Sequence, residues 1–360
     1  MVSRSVIIGV VAAIVIVIVG AGLYIAMQPT PTPPTEKLKI AVLLPGSITD
    51  AGFNAAMFKA ATEVQTERND TVVISIAEGL GQVGVDPTMR DYASKGYKLI
   101  FGWTIQYSAA ALAVSPEFND TFFIITAATN TSYNVINYQW PLWEGAFLAG
   151  MVAGGVTNSN IIGGAGGYNY PTTAGVPKAF ILGAQRVNPA VTGTILYGGV
   201  WDDVNKGREI GEALISAGAD VLFCRGDGLA LGVIQAASAH SAPGTAKTVY
   251  MVGDMADQHA LAPKTVITSN VWNGKPCIEA FVDMYMNGTL QANSNLATPI
   301  RKYVWGVATG QNDIAPFFGL DYKVPQSIKD AITRCRAAMK AGTFSVNLFP
   351  NGTVYTTGTF

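Results

Sequence analysis

Residues 43–54 read LLPGSITDAGFN and join an apolar segment to a helical one. The apolar segment, 38–44, reads LKIAVLL. A nearly unbroken apolar run is typical of a parallel strand buried on both faces, and a short buried helix can show the same pattern. A Pro-Gly pair ends the run, and Ser47, Thr49 and Asp50 can cap a helix that begins near Gly52. Open α/β sheets bind ligands at the carboxyl ends of their strands, so this loop is a candidate binding loop.

The same alternation of apolar strand and amphipathic helix continues along the chain and restarts near residue 142. The predicted strands are 38–44, 72–77, 98–103, 121–127, 160–164, 193–198, 220–225, 248–253, 265–271 and 302–308. The predicted helices are 52–67, 87–95, 106–115, 142–156, 173–186, 203–217, 228–240, 275–287 and 325–341. Alternating elements of this length imply parallel sheets with right-handed crossovers, and hence an α/β fold of two successive units.

The tail is too short for a third domain, so we expect it to complete the first two units. This predicts two lobes, each a parallel sheet flanked by helices. The first is 38–139 plus about 256–305, and the second is 140–255 plus about 306–360. A chain that visits both lobes and returns forms a hinge of several strands with a cleft between the lobes.

The N-terminal segment, 1–27, is a membrane anchor or a secretory signal. Its apolar run, 6–27, is long enough to cross a bilayer as a helix, and Arg4 before it favours a cytoplasmic N-terminus. A signal peptide is the rival because it also has an apolar core, although a shorter one. We favour an uncleaved anchor at the cell membrane with an extracellular body. The Pro/Thr-rich stretch 28–37 predicts an extended linker.

Composition argues against several classes of function. The net charge is −1, only 13% of residues are charged and no Lys/Arg cluster occurs, so we expect no nucleic-acid partner. The three cysteines and two histidines are scattered, which argues against a metal site. The segment 79–84 matches G-x-G-x-x-G, but no acidic residue lies between Asp91 and Glu117 to bind a ribose. We therefore interpret it as a turn, and we expect neither a cofactor nor catalytic residues.

Aromatic and polar residues cluster where the predicted strands end. Aromatic rings offer flat apolar faces to a planar ligand, and carboxylates and amides can bind its polar edge. One aromatic residue at a strand end usually packs in a core; several at the same edges indicate a shared cleft. The candidate ligand-binding residues are Asp50, Phe53, Asn54, Trp103, Tyr107, Trp201, Asp227, Gly228, Asp254, Asn270 and Trp272.

Several of these residues lie in segments that resemble a known family. The segments are TDAGFN (49–54), EGAFLAGMVAG (144–154), YGGVWDD (197–203), GADVLFCRGDG (218–228), VGDMADQ (252–258), VITSNVW (266–272) and GVATGQNDIAPF (306–317). In order and spacing they resemble the basic membrane protein family of ABC-transporter substrate-binding proteins, which includes purine nucleoside receptors. The resemblance covers about 38–350.

The resemblance implies a two-lobed, type I periplasmic-binding-protein fold that closes on a purine nucleoside or nucleobase and delivers it to ABC permease subunits. It also implies that Phe53 and Trp201 enclose the base from opposite lobes, with Asp50 and Asn54 beside it. Gly228 and Asp254 would occupy the places that meet the ribose.

One departure bears on the ligand. Nucleoside binders commonly place a Lys where this chain has Trp272. The loss of an ammonium that contacts ribose favours a free nucleobase or another planar ligand. We expect a monomer. Two alternatives stay open: a binding protein for a sugar or other small polar ligand, and a ligand-sensing ectodomain that works with a separate signalling partner.

Overall fold

The first sheet is built from the apolar run that precedes the loop 43–54. The structure is a computed structural model that describes residues 36–50, 52–241 and 248–360. The strands of the first sheet are β1 (Leu38–Leu43), β2 (Val72–Ala77), β3 (Leu99–Gly102), β4 (Phe122–Thr126), β5 (Val135–Gln139) and β11 (Lys302–Val304). They pair in parallel in the order β11-β5-β4-β3-β1-β2. The interior strand β1 is almost wholly buried, as its apolar sequence predicts.

The second sheet repeats this arrangement. Its strands are β6 (Ile161–Gly166), β7 (Thr192–Tyr197), β8 (Val221–Arg225), β9 (Tyr250–Met255), β10 (Val266–Trp272) and β12 (Asn312–Ile314). The order is β12-β10-β9-β8-β6-β7, and only β12 at the edge runs antiparallel to its neighbour. A separate hairpin, β13 (Phe344–Leu348) and β14 (Val354–Gly358), lies near the C-terminus.

Helices cover the faces of both sheets. The first sheet carries α1 (Phe53–Glu67), α2 (Asp86–Ser94), α3 (Ser108–Val114), α8 (Lys275–Met286) and α9 (Thr289–Ser294). The second carries α4 (Leu142–Val156), α5 (Pro171–Val187), α6 (Val204–Ser216), α7 (Gly228–His240) and α10 (Gln326–Lys340). We call each sheet with its helices a lobe, the first and the second. The predicted helix 106–115 is instead a 3₁₀ turn at Ile105–Tyr107 followed by α3, because the Thr104 side chain caps that turn.

Three segments connect the lobes, between β5 and α4, between β10 and α8, and between β11 and β12. The sequence-based boundary that placed 256–305 in the first lobe is wrong for β10, which pairs in parallel with β9 in the second sheet. The apolar pattern of a strand does not encode which sheet it joins, which explains the error. The rest of the lobe division stays a prediction.

The predicted membrane segment, 1–27, and the linker apart from Glu36 and Lys37 lie outside the described residues. Within the described part of the chain, no helix is both long and apolar enough to cross a membrane.

Candidate ligand-binding site

The loop before α1 is held by Asp50. Its Oδ1 accepts hydrogen bonds from the backbone N–H groups of Gly52 (3.1 Å) and Ala55 (2.9 Å). Its Oδ2 accepts from the backbone N–H (2.8 Å) and side-chain Nδ2 (2.6 Å) of Asn54. The Asn54 Oδ1 in turn accepts from the N–H of Gly46 at 3.3 Å. Both predicted ligand-binding polar groups of this loop are therefore engaged in holding the loop and capping the helix.

Four rings form an aromatic group at the carboxyl edge of the first sheet: Phe53, Trp103, Trp140 and Trp272. Trp103 is at its centre, with ring centroids 5.2 Å from Phe53, 4.8 Å from Trp140 and 4.6 Å from Trp272. The Trp103 Nε1–H donates to the Phe53 carbonyl at 2.8 Å, which fixes the ring against the start of α1. Phe53 and Trp140 are only partly buried, so this group presents flat apolar surface at the rim.

Trp272 belongs to this group and also anchors a segment that connects the lobes. Its Nε1–H donates to the hydroxyl of Tyr138 at 2.9 Å, and the residue is 5% exposed. The place where the family commonly has a Lys is thus filled by a buried ring that packs on Trp103.

Trp201 lies at the carboxyl edge of the second sheet, after β7. Its ring covers the backbone of Gly167 so closely that a Cβ at that position would clash with the Trp201 Cε3. The ring of Tyr168 is 5.3 Å away. Trp201 is half-buried, and its carbonyl accepts from the N–H groups of Asp227 (3.0 Å) and Leu229 (3.2 Å). One face of the ring therefore packs on glycine, and a role of Trp201 in ligand binding stays a prediction.

Asp227 connects the second lobe to the first. Its carboxylate lies close enough to the backbone N–H of Phe53 for that group to lower its pKa, and close enough to Asp50 and Asp202 for their charges to raise it. Burial, followed by the charge of Asp50, raises the pKa of Asp227 from 3.8 to about 7. Asp202 accepts from the N–H of Gly228 at 3.1 Å and fixes the start of α7. Because Asp227 reaches across to Phe53, the two rims are in contact in this structure.

A chain of buried polar groups runs along the ends of β8, β9, β10 and β12. The Arg225 Nη1 donates to Asp254 Oδ2 at 2.7 Å, and the Asn270 Nδ2 donates to Asp254 Oδ1 at 2.7 Å. The Asn312 Nδ2 donates to Asn270 Oδ1 at 2.8 Å, and the Asn312 Oδ1 accepts from the N–H of Gly145 at 2.6 Å. We call Arg225, Asp254, Asn270 and Asn312 the polar chain. Burial raises the pKa of Asp254, and Arg225 and Asn270 oppose that rise.

Tyr107 is the predicted site residue that the structure does not bring to the cleft. It is fully buried in the first lobe among residues of β1, α2 and α3, and its hydroxyl donates to the carbonyl of Gly81 at 2.7 Å. Burial raises its pKa to about 12. The strand-end pattern predicted a ligand-binding position for Tyr107 because it cannot show that one residue of a 3₁₀ turn points into the core while its neighbours face outward.

Sequence reasoning missed Trp140, Arg225 and Asn312. Trp140 follows β5, a short strand that the apolar pattern did not indicate, and Asn312 begins a three-residue strand. Arg225 was counted within the strand 220–225, where its charge between apolar neighbours was an available signal.

The G-x-G-x-x-G segment has the conformation of a turn. Gly79, Gly81 and Gly84 all have positive φ, and the N–H groups of the first two donate to the carbonyls of Gly46 and Pro45. Those donors are used inside the protein, as in an ordinary loop. Among the described residues, no group of three or more His, Cys, Asp or Glu side chains could hold a metal ion.

Comparison with known sequences identifies a family. A sequence model of the family described as ABC transporter substrate-binding protein PnrA-like matches residues 37–316. A transcriptional activator protein, Med, of Bacillus subtilis is 25% identical over 71% of this chain and 78% of its own length. A purine-binding protein of Brucella abortus is 25% identical over 85% of this chain and 82% of its own length. The nucleoside-binding protein BmpA of Lactococcus lactis is 32% identical over 46% of this chain and 48% of its own length.

A solved structure shares the fold. An ABC-transporter solute-binding protein from Conexibacter woesei superposes with a TM-score of 0.69 at 23% identity, covering 88% of this chain and 99% of the other. The predicted α/β fold of two parallel sheets is thereby confirmed.

Proposed function

The chain belongs to the PnrA-like family of ABC transporter substrate-binding proteins, and we propose that its ligand is a purine nucleobase or nucleoside held between the lobes. The family binds small molecules and works with a permease; it is not a family of enzymes. The names of the Brucella and Lactococcus relatives, purine-binding and nucleoside-binding, support a purine for this chain.

The observation that carries the proposal is the pairing of two unlike rims. On the side of the first lobe are the partly buried rings of Phe53 and, from a segment that connects the lobes, Trp140, both packed on Trp103. The second presents Trp201 together with the carboxylate of Asp227 and the charged end of the polar chain. A purine has two flat faces and an edge of alternating donors and acceptors, so it matches flat rings on either side and polar groups at the edge.

The position of Trp272 favours a free nucleobase over a nucleoside. A Lys there would offer an ammonium to ribose, whereas Trp272 offers a buried ring whose N–H already binds Tyr138. Phe53 and Trp201 remain the residues that we propose to enclose the base, with Asp227, Gly228, Asp254 and Asn270 on its polar side.

The remaining parts of the proposal follow from the sequence. We propose that 6–27 anchors the protein in the cell membrane and that the body from Leu38 onward is extracellular, where it works as a monomer. Proteolysis of intact cells should remove the body while a cytoplasmic control protein stays intact. Protection of the body under those conditions would contradict the proposed location.

Identification of co-purified molecules tests the ligand directly. The purified protein is heat-denatured, and the released small molecules are identified by mass spectrometry, followed by titration calorimetry with hypoxanthine, adenosine, ribose and glucose. We expect a purine among the released molecules and binding of purines but not of the free sugars. Binding of a sugar without binding of any purine would favour the alternative, a sugar-binding protein.

A further inference from the structure

Arg225 has donors that the described residues leave unused. Arg225 is the last residue of β8, and its side chain is 14% exposed. The Nη1 is paired with Asp254, but the Nε is buried and has no hydrogen-bond partner among the described residues. An arginine side chain has five N–H donors and no acceptor, and a buried donor without a partner is costly. The free edge that carries Nε and Nη2 is therefore suited to bind an acceptor from outside the protein.

The surroundings of Arg225 fix its orientation. Its Cζ lies 5.9 Å from the centroid of the Trp140 ring, which stacks on Trp103. Asp254, its ion-pair partner, is held in turn by Asn270, so the guanidinium is braced from two sides. A planar guanidinium that is held in this way can select ligands whose acceptors match the positions of its N–H groups, whereas a mobile one contributes mainly its charge.

Asp227, the next charged residue along the chain, is a hydrogen-bond acceptor where Arg225 is a donor. Asp227 follows two residues later, and its carboxylate can only accept hydrogen bonds when it is ionised. The rim of the second lobe therefore presents donors at Arg225 and an acceptor at Asp227. A ligand that fits must offer acceptors to the first group and N–H donors to the second.

We propose that Arg225 is a specificity-determining residue that selects purines with an oxygen at C6, such as hypoxanthine and guanine, over adenine. The inference rests on the proposed purine-binding function. The O6 and N7 atoms of these bases are adjacent acceptors, and arginine binds that edge with two hydrogen bonds. Adenine has an amino group in place of O6, so an N–H of Arg225 would face the N–H groups of that amino group and no hydrogen bond could form. The N1–H of a 6-oxopurine also supplies the donor that Asp227 can accept.

The test compares hypoxanthine and adenine by titration calorimetry, because the two bases differ in the group at C6. We expect the wild type to bind hypoxanthine about 10- to 100-fold more tightly than adenine. Arg225→Lys keeps the charge but loses the planar fork, and its preference should fall to about 3-fold or less. Arg208→Gln, which alters an exposed arginine on α6, is the matched control and should retain the full preference.

A second variant covers the case in which Arg225→Lys does not fold. The double variant Arg225→Gln/Asp254→Asn replaces the ion pair by two neutral groups, so no buried charge is left unpaired, and it should also lose the preference. Equal affinities of the wild type for the two bases, or a preference that persists in a folded variant, would overturn the inference while purine binding stands. Absence of binding of either base would overturn this inference, and the proposed function would fall with it if adenosine and inosine also did not bind.

Discussion

The two rims of the cleft differ in chemistry. At the first rim the polar residues Asp50 and Asn54 are used in capping α1, and the surface is formed by rings. At the second rim Arg225 and Asp227 retain polar atoms that face the cleft. Apolar contact is non-directional, whereas hydrogen bonds require matching donors and acceptors. The first rim should therefore contribute affinity for any planar ligand, and the second should decide which planar ligand is bound.

The largest expected effect on stability comes from removing the ion pair between Arg225 and Asp254 at the second rim. Asp254→Ala removes the partner of Arg225 and the acceptor of Asn270, and it leaves a buried guanidinium uncompensated. We expect it to lower the free energy of unfolding by about 3–5 kcal/mol. Denaturant melts measure the change, with Asp257→Ala, an exposed carboxylate on the following loop, as the control that should cost about 0.5 kcal/mol or less. A loss below about 1 kcal/mol in Asp254→Ala would show that the polar chain is not structurally important.

A ligand that contacts both rims should stabilise the two lobes together. At a hypoxanthine concentration of one hundred times Kd, the free energy of unfolding should rise by about 2.7 kcal/mol. Differential scanning calorimetry should show a single transition that moves to a higher temperature. If saturating ligand shifted only part of the unfolding transition, the ligand would be bound to one lobe alone.

The smallest of these effects concerns the contact between the rims. The pKa of Asp227 is raised from 3.8 to about 7 in the folded protein, so protonation of Asp227 stabilises the folded state. This contribution to the free energy of unfolding is fully present below about pH 4 and is lost as the pH rises through 7. Asp227→Asn is permanently neutral, so it should be more stable than the wild type by about 2 kcal/mol at pH 8, after allowance for solvent screening, and the difference should disappear towards pH 4.

Thermal melts across that pH range measure the difference for Asp227→Asn, and Asp70→Asn, at an exposed site, is the control. A difference that does not vary with pH would contradict the burial of Asp227 between the rims.

Most of the strands and helices could be predicted because each has a local pattern of apolar and capping residues. The apolar run before the loop 43–54 predicted β1. Of the three candidate caps, Ser47, Thr49 and Asp50, it is Asp50 that accepts from the first N–H groups of α1. The failures lie where the chain passes between lobes. The stretch 302–308 reads as one strand, but β11 ends at Val304 and the chain turns through 305–311 before β12. Local sequence does not show that a segment leaves one sheet for another.

Only those parts of the candidate site that depend on local sequence patterns could be predicted. Phe53, Trp201 and Asp254 follow strands that the pattern detects, so their place at the rims was expected. Arg225 and Trp140 meet across 85 positions of sequence, and Trp140 lies in a segment that connects the lobes, so the contact has no local signature. The use of Asp50 and Asn54 as structural groups also depends on the three-dimensional course of the loop.

The most direct test of a planar ligand held between the rims is calorimetric titration of Trp201→Ala with hypoxanthine. Trp201 is half-buried on Gly167, so its loss should leave stability within about 1 kcal/mol of the wild type. Loss of one ring stacked on the base should weaken binding about 10- to 100-fold. Tyr170→Ala, a nearby ring that is 54% exposed, is the control and should bind normally. Unchanged affinity in Trp201→Ala and in Phe53→Ala, or a loss of about 3–5 kcal/mol of stability in Trp201→Ala, would contradict the account.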